Sequence, residues 1–129
     1  MSLQDRIEEE MVVSTESILE DQFDRANELF DIFEDNTVAI TEKYSEVDAK
    51  EQILIYLIAQ QYLEEADRTD SSALPNEYFY ERIDKDDSTI RHYCGDLEDE
   101  KLLRTTEEGE RELVVEQMPA AIDRITESE

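Results

Sequence analysis

Apolar residues open the chain at helical spacing. Leu3, Ile7 and Met11 recur every fourth position and predict a helix with a thin apolar stripe. The β-branched and capping residues Val12, Val13, Ser14 and Thr15 predict a break after it. Ser17 with Glu20 three positions on has the form of a capping box. Ile18, Gln22, Ala26, Leu29 and Phe33 then continue one face, as one bent helix or two. The period next falls to two: Phe30 and Ile32 on one side of Asp35-Asn36, and residues 37–41 on the other, predict a hairpin closed by a two-residue turn.

The strongest periodic segment follows. Asp48 and Glu51 predict a capped helix start, and Ile53, Leu54, Leu57, Ile58, Tyr62, Leu63 and Ala66 make an amphipathic helix over 49–66 that should centre the core. Residues 67–74 are polar and read as a loop. Pro75 suits the first turn of a short helix carrying Tyr78, Phe79 and Ile83. After a turn at 84–87, capped by Asp87 or Ser88, a third helix over 88–101 directs Ile90, Tyr93, Cys94 and Leu97 inward. Leu102 and Leu103 begin an extended segment, 107–109 turn it, and 112–116 return with Leu113 and Val115 on one face. Pro119 starts a closing helix with Ile122 and Ile125. The fold class expected is α+β and mostly helical.

Charge changes this picture most. The 129 residues include 37 acidic against 12 basic, a formal net charge of −25. Disordered chains share that imbalance, but they lack ordered apolar periods, six Tyr and four Phe. The alternative is adaptation to molar intracellular salt, where the Debye length is only about 3 Å and such a charge load costs little. Only Lys43, Lys50, Lys85 and Lys101 are lysines, a surface trimmed of long apolar stems. A halophilic, cytoplasmic protein is expected: no apolar run nears the roughly 20 residues of a membrane span, and 2–10 are charged, unlike a secretion signal. One cysteine, Cys94, excludes an internal disulfide and a cysteine-based zinc site, and is expected as a small buried hydrophobe. Two glycines leave no phosphate-cradling loop, no nucleophile has a neighbouring base, and His92 has no ligand or acid-base partner at useful spacing. No enzyme activity, metal, cofactor or small-molecule ligand is expected. The tyrosines Tyr56, Tyr62, Tyr78, Tyr80 and Tyr93 read as core edge.

In order, residues 49–116 run helix, helix, turn, helix, strand, turn, strand. The stretch DSTIRHYCGDLEDEKLLR, residues 87–104, resembles the recognition helix and first wing strand of winged helix-turn-helix regulators. The chain looks like the small acidic winged-helix proteins abundant in haloarchaea, and the resemblance covers roughly residues 49–126. It implies a winged helix-turn-helix domain over 35–129 behind an N-terminal helical extension, 1–34, that includes one arm of the hairpin.

The resemblance also implies a DNA-binding transcriptional regulator whose third helix enters the major groove. Carried over by position, the contacts are Ser88, Thr89, Arg91, His92 and Gly95 on the helix, with Arg104 and Arg111 on the wing. Arg91 suits a guanine edge or a phosphate, Ser88 and Thr89 suit phosphate oxygens at the helix start, and Gly95 permits close backbone approach. Residues 82–111 hold six basic residues against ten acidic, net −4, while the other 99 residues carry −21. The proposed surface is thus less acidic than the rest of the chain taken together, without being basic. The partners expected are DNA and a second copy in a homodimer, since Ile18, Ala26, Leu29 and Phe30, with Ile122 and Ile125, lack an evident partner in so small a core. The alternative is a winged-helix protein–protein interaction module that leaves DNA alone.

Overall fold

The computed structural model describes residues 2–128, and the termini Met1 and Glu129 lie outside them. Helices α1 (Leu3–Glu10), α2 (Thr15–Asp21) and α3 (Phe23–Asn27) lead into strands β1 (Phe30–Ile32) and β2 (Val38–Ile40). Then come α4 (Ala49–Glu65), β3 (Ala73–Leu74), α5 (Asn76–Arg82), α6 (Asp87–Asp99), β4 (Leu103–Thr105), β5 (Arg111–Leu113) and α7 (Met118–Glu127). The fold is α+β, 57% helical, with two small antiparallel sheets.

Helix α4 is the axis of the core. The pattern predicts an amphipathic helix, yet Ile55, Tyr56, Ala59, Gln60 and Gln61 are buried as well as Ile53, Leu54, Leu57 and Ile58. A helix apolar on nearly every side is one surrounded by other elements, and α4 packs on α6, α7, β2 and β5. Its buried amides are satisfied: Gln60 donates to the Ser71 carbonyl at 2.8 Å and Gln61 to that of Leu113 at 3.4 Å. The Asp48–Glu51 capping box does not form, because the Glu51 carboxylate turns inward to Arg124 of α7, 3.1 Å away. At the other end Asp67 adopts a left-handed φ of 60°. The Arg68 N–H reaches the Leu63 carbonyl and the Asp67 N–H that of Glu64, both at 2.9 Å, which closes the helix.

The N-terminal third departs from expectation. The cap of α2 is Ser14, whose hydroxyl accepts from the Ser17 N–H at 3.1 Å, and not Ser17. Leu19 is buried where Ile18 is only half-buried, and Phe33 faces out, 53% exposed. The β1–β2 register pairs Phe30 with Ile40 and Ile32 with Val38, so a division at residue 34 falls inside the hairpin. Its turn has three loop residues, not two: Phe33 donates to the Thr37 carbonyl and accepts from the Asn36 N–H, both at 2.9 Å, with Asn36 at φ 70°. That is a tight turn followed by a left-handed residue.

The faces expected to be spare are occupied. Ala26, Leu29, Phe30, Ile122 and Ile125 join one core cluster with α4, and Ile18 packs against it. They are therefore not a dimer surface. The loop 67–74 hides β3, whose Ala73 pairs with Glu112 and Leu74 with Arg111, giving the sheet order β3-β5-β4. A two-residue strand leaves no period to detect. The returning strand stops at Leu113, and Val115–Gln117 form a 3-10 turn instead of continuing it. Among the described residues no helix is long and apolar enough to cross a membrane.

Candidate nucleic-acid interface

Helix α6 follows α5 after four connecting residues and buries Ile90, Cys94 and Leu97. The i, i+4, i+7 spacing of those three turns Ser88, Arg91 and His92 to solvent, while Thr89, Tyr93 and Gly95 are half-buried. A Cβ added at Gly95 would meet nothing within 4 Å, so no neighbour in the chain demands glycine there. Burial pushes the Cys94 thiol up to about 11, which makes it a packing residue and a poor nucleophile. The helix ends with Lys101 in a left-handed conformation, φ 68°, and the Leu102 N–H on the Leu97 carbonyl at 3.0 Å. That closure swings the chain directly into β4.

Strands β4 and β5 form a ribbon in which Arg104 pairs with Glu112. At its tip the Thr106 N–H meets the Glu110 carbonyl at 2.8 Å, and Gly109, at φ 83°, supplies the left-handed residue of the three-residue loop.

The ribbon arginines do not stand free. Arg104 is exposed, but its Nε lies 2.6 Å from Glu112, a carboxylate also held by the Ser72 hydroxyl. Arg111, its side chain 14% exposed, is spent inside the chain: it donates to Asn76 at 3.2 Å, Thr105 at 2.8 Å and Glu98 at 3.4 Å. It braces α5, α6 and β4 together, so the guanidinium expected on the wing surface is engaged within the chain. Arg91 keeps its guanidinium in solvent with one partner, the Tyr80 hydroxyl at 3.1 Å, which steadies the cation and raises its pKa. The sequence reading missed Tyr80 because it lies on the preceding helix.

His92 and Asp96 lie one turn apart, Nε2 to Oδ2 3.5 Å, and Asp96 also takes Lys50 at 2.9 Å. The Lys50 hydrogen bond holds the Asp96 carboxyl below its ordinary range, and Arg124 does the same for Glu100. Groups depressed in the folded state add stability above their unfolded values, here 3.8 and 4.5, and lose it as pH falls through the folded ones. The part of thermal stability that these two pairs supply should therefore be lost below those values, a small effect for partly exposed pairs in molar KCl, and the Asp96→Asn, Glu100→Gln double variant should remove that part of the fall. An unchanged profile would remove both pairs from the account.

Carboxylates surround the exposed face. Asp84, Asp86 and Asp87 crowd the start of α6, and Glu107 and Glu108 occupy the ribbon tip, all exposed. Among the described residues no group of His, Cys, Asp and Glu is arranged to hold a metal. Two features lie outside the sequence reading. A cavity of about 390 Å³ is lined by Lys50, Glu51, Lys85, Tyr93 and Arg124. Remote from α6, an apolar groove runs over Phe23, Phe30, Ile32 and Tyr62, with a cavity of about 300 Å³ that continues to Phe33 and Arg68. Searches against family models, curated proteins and solved structures found no match to this chain.

Proposed function

We propose that residues 49–126 form a winged helix-turn-helix module in which α6 reads DNA, in a regulator adapted to molar intracellular salt and acting without a cofactor. One observation carries the reading: α6 turns Ser88, Arg91 and His92 away from the core, immediately ahead of the β4–β5 ribbon. The order α4-β3-α5-α6-β4-β5 and the four-residue connection between α5 and α6 support it. Arg91 is the leading contact, since a guanidinium matches the acceptor pair of a guanine edge. Ser88, His92 and the half-buried Thr89 and Gly95 remain in the reading face. Arg104 and Arg111 are left out of it, being paired within the chain.

The acidic rim sets the conditions. In dilute salt Asp84, Asp86 and Asp87 repel phosphates. At about 1 M salt the screening length falls to roughly 3 Å, and counterion release ceases to separate basic from acidic proteins. Recognition then rests on hydrogen bonding and fit. The test is binding to genomic DNA fragments in molar KCl by fluorescence anisotropy. Arg91→Glu should weaken binding by about tenfold to a hundredfold, the worth of one good bidentate contact. Binding that ignores the substitution would end the reading-helix assignment.

A second reading, a winged-helix protein–protein interaction module, is favoured by the carboxylates around α6 and by the exposed groove over Phe23, Phe33 and Tyr62. The absence of binding to any DNA fragment selects it.

A further inference from the structure

Arg91 differs from most cations of this chain in what holds it. With 37 acids to 12 bases, carboxylates are everywhere at hand. Every other arginine except Arg68 reaches one. Arg91 reaches none among the described residues, and its hydrogen bond runs from Nη1 to the Tyr80 hydroxyl of α5, 3.1 Å away. Asp87, one turn earlier on α6, acts on the cation through space without forming an ion pair. An acid followed by an arginine four residues on is a spacing that readily closes into a pair on a helix surface. With Nη1 on Tyr80, that pair stays open.

The phenol is a stiff holder. Its ring packs against the core, and a tyrosine has few side-chain angles to lose. Helix α5 is itself fixed to α6, because Arg111 bonds Asn76 on α5 at 3.2 Å and Glu98 on α6 at 3.4 Å. The reach from Tyr80 to Arg91 is thus set by the packing of the two helices.

A hydroxyl partner differs from a carboxylate in two ways. It is neutral, so the whole positive charge stays available, whereas a carboxylate must be displaced before a base or phosphate can take the guanidinium. It also occupies a single N–H of the guanidinium fork. Nε and Nη2 stay free, a two-donor edge of the kind that meets the O6 and N7 acceptors of guanine.

We propose that Tyr80 is a positioning residue for DNA reading: it holds the Arg91 guanidinium oriented and uncompensated, so that recognition is a property of α5 and α6 together. The proposal rests on the α6 reading above and adds to it a residue on another helix.

The test is a double-mutant cycle of Tyr80→Phe and Arg91→Ala, read as binding to genomic DNA fragments in molar KCl by fluorescence anisotropy. Phenylalanine keeps the ring against the core and removes only the hydroxyl, so circular dichroism should show the fold intact. With Arg91 present, Tyr80→Phe should weaken binding by about tenfold, the scale of a hydrogen bond to a charged group. In the Arg91→Ala background the same substitution should cost less than about twofold, because the phenol then has nothing to position. An equal loss in both backgrounds would make Tyr80 an independent contact or a mere support of α5, and overturns the inference. So does the absence of any loss with Arg91 present. In both of those outcomes Arg91→Ala still weakens binding, and the α6 reading stands. Failure of that reading looks different: Arg91→Ala costs nothing, or no fragment binds, and the role of Tyr80 falls with it.

Discussion

Arg124→Ala should cost the protein about 3–5 kcal/mol, the usual penalty for stripping a buried charge of its partner. Arg124 reaches from α7 to Glu51 on the first turn of α4, with Nε to Oε1 3.1 Å, and its other arm holds Glu100 at the end of α6. Glu51 is only 6% exposed, and its second oxygen, Oε2, has no hydrogen-bond partner among the described residues. Alanine would leave that buried carboxylate without its ion-pair partner and would untie three helices at once. The double variant Glu51→Leu, Arg124→Met should recover most of the loss, because replacing a buried pair by apolar groups of similar volume is often neutral. Urea unfolding in molar KCl measures all of these; salt screens this pair less than an exposed one. A loss below about 1 kcal/mol would class it with ordinary surface ion pairs.

The second large effect is on salt. A net charge of −25 on 129 residues repels itself wherever screening is weak. The Debye length is about 10 Å at 0.1 M and about 3 Å at 1 M, so most of the repulsion vanishes across that interval. Thermal midpoints should therefore climb with KCl by roughly 10 °C or more, which corresponds to a few kcal/mol for a domain near this size. Matched sucrose solutions, which strengthen burial without screening charge, should raise the midpoint far less. A midpoint indifferent to KCl, or one that sucrose raises equally, would sink the reading of the acid excess as salt adaptation.

Local rules carried the element order a long way. The apolar run of α4, the Ile90–Cys94–Leu97 stripe of α6 and the glycine-tipped ribbon at Gly109 follow from helical periods and turn chemistry, which a few neighbouring residues set. The hairpin at Asn36 was legible for the same reason, although its loop is one residue longer than expected. Features that depend on distant partners were not legible. β3 exists only because β5 lies beside it.

The candidate site divides along the same line. By itself the sequence determined that the third helix shows solvent Ser88, Arg91 and His92, because three apolar residues at helical spacing leave that face outward. It also determined the acid load that any partner must meet. Only the tertiary structure decided which charges remain available. Arg111 ties Asn76, 35 positions away, and Arg124 ties Glu51, 73 positions away, while Arg91 finds only a tyrosine. It likewise drew Leu29 and Ile125 into the core and left Phe23 and Phe33 outside. Periodicity sets which face of an element is apolar. Whether that face meets this chain or another is a matter of how the elements pack, and no short stretch of sequence contains it.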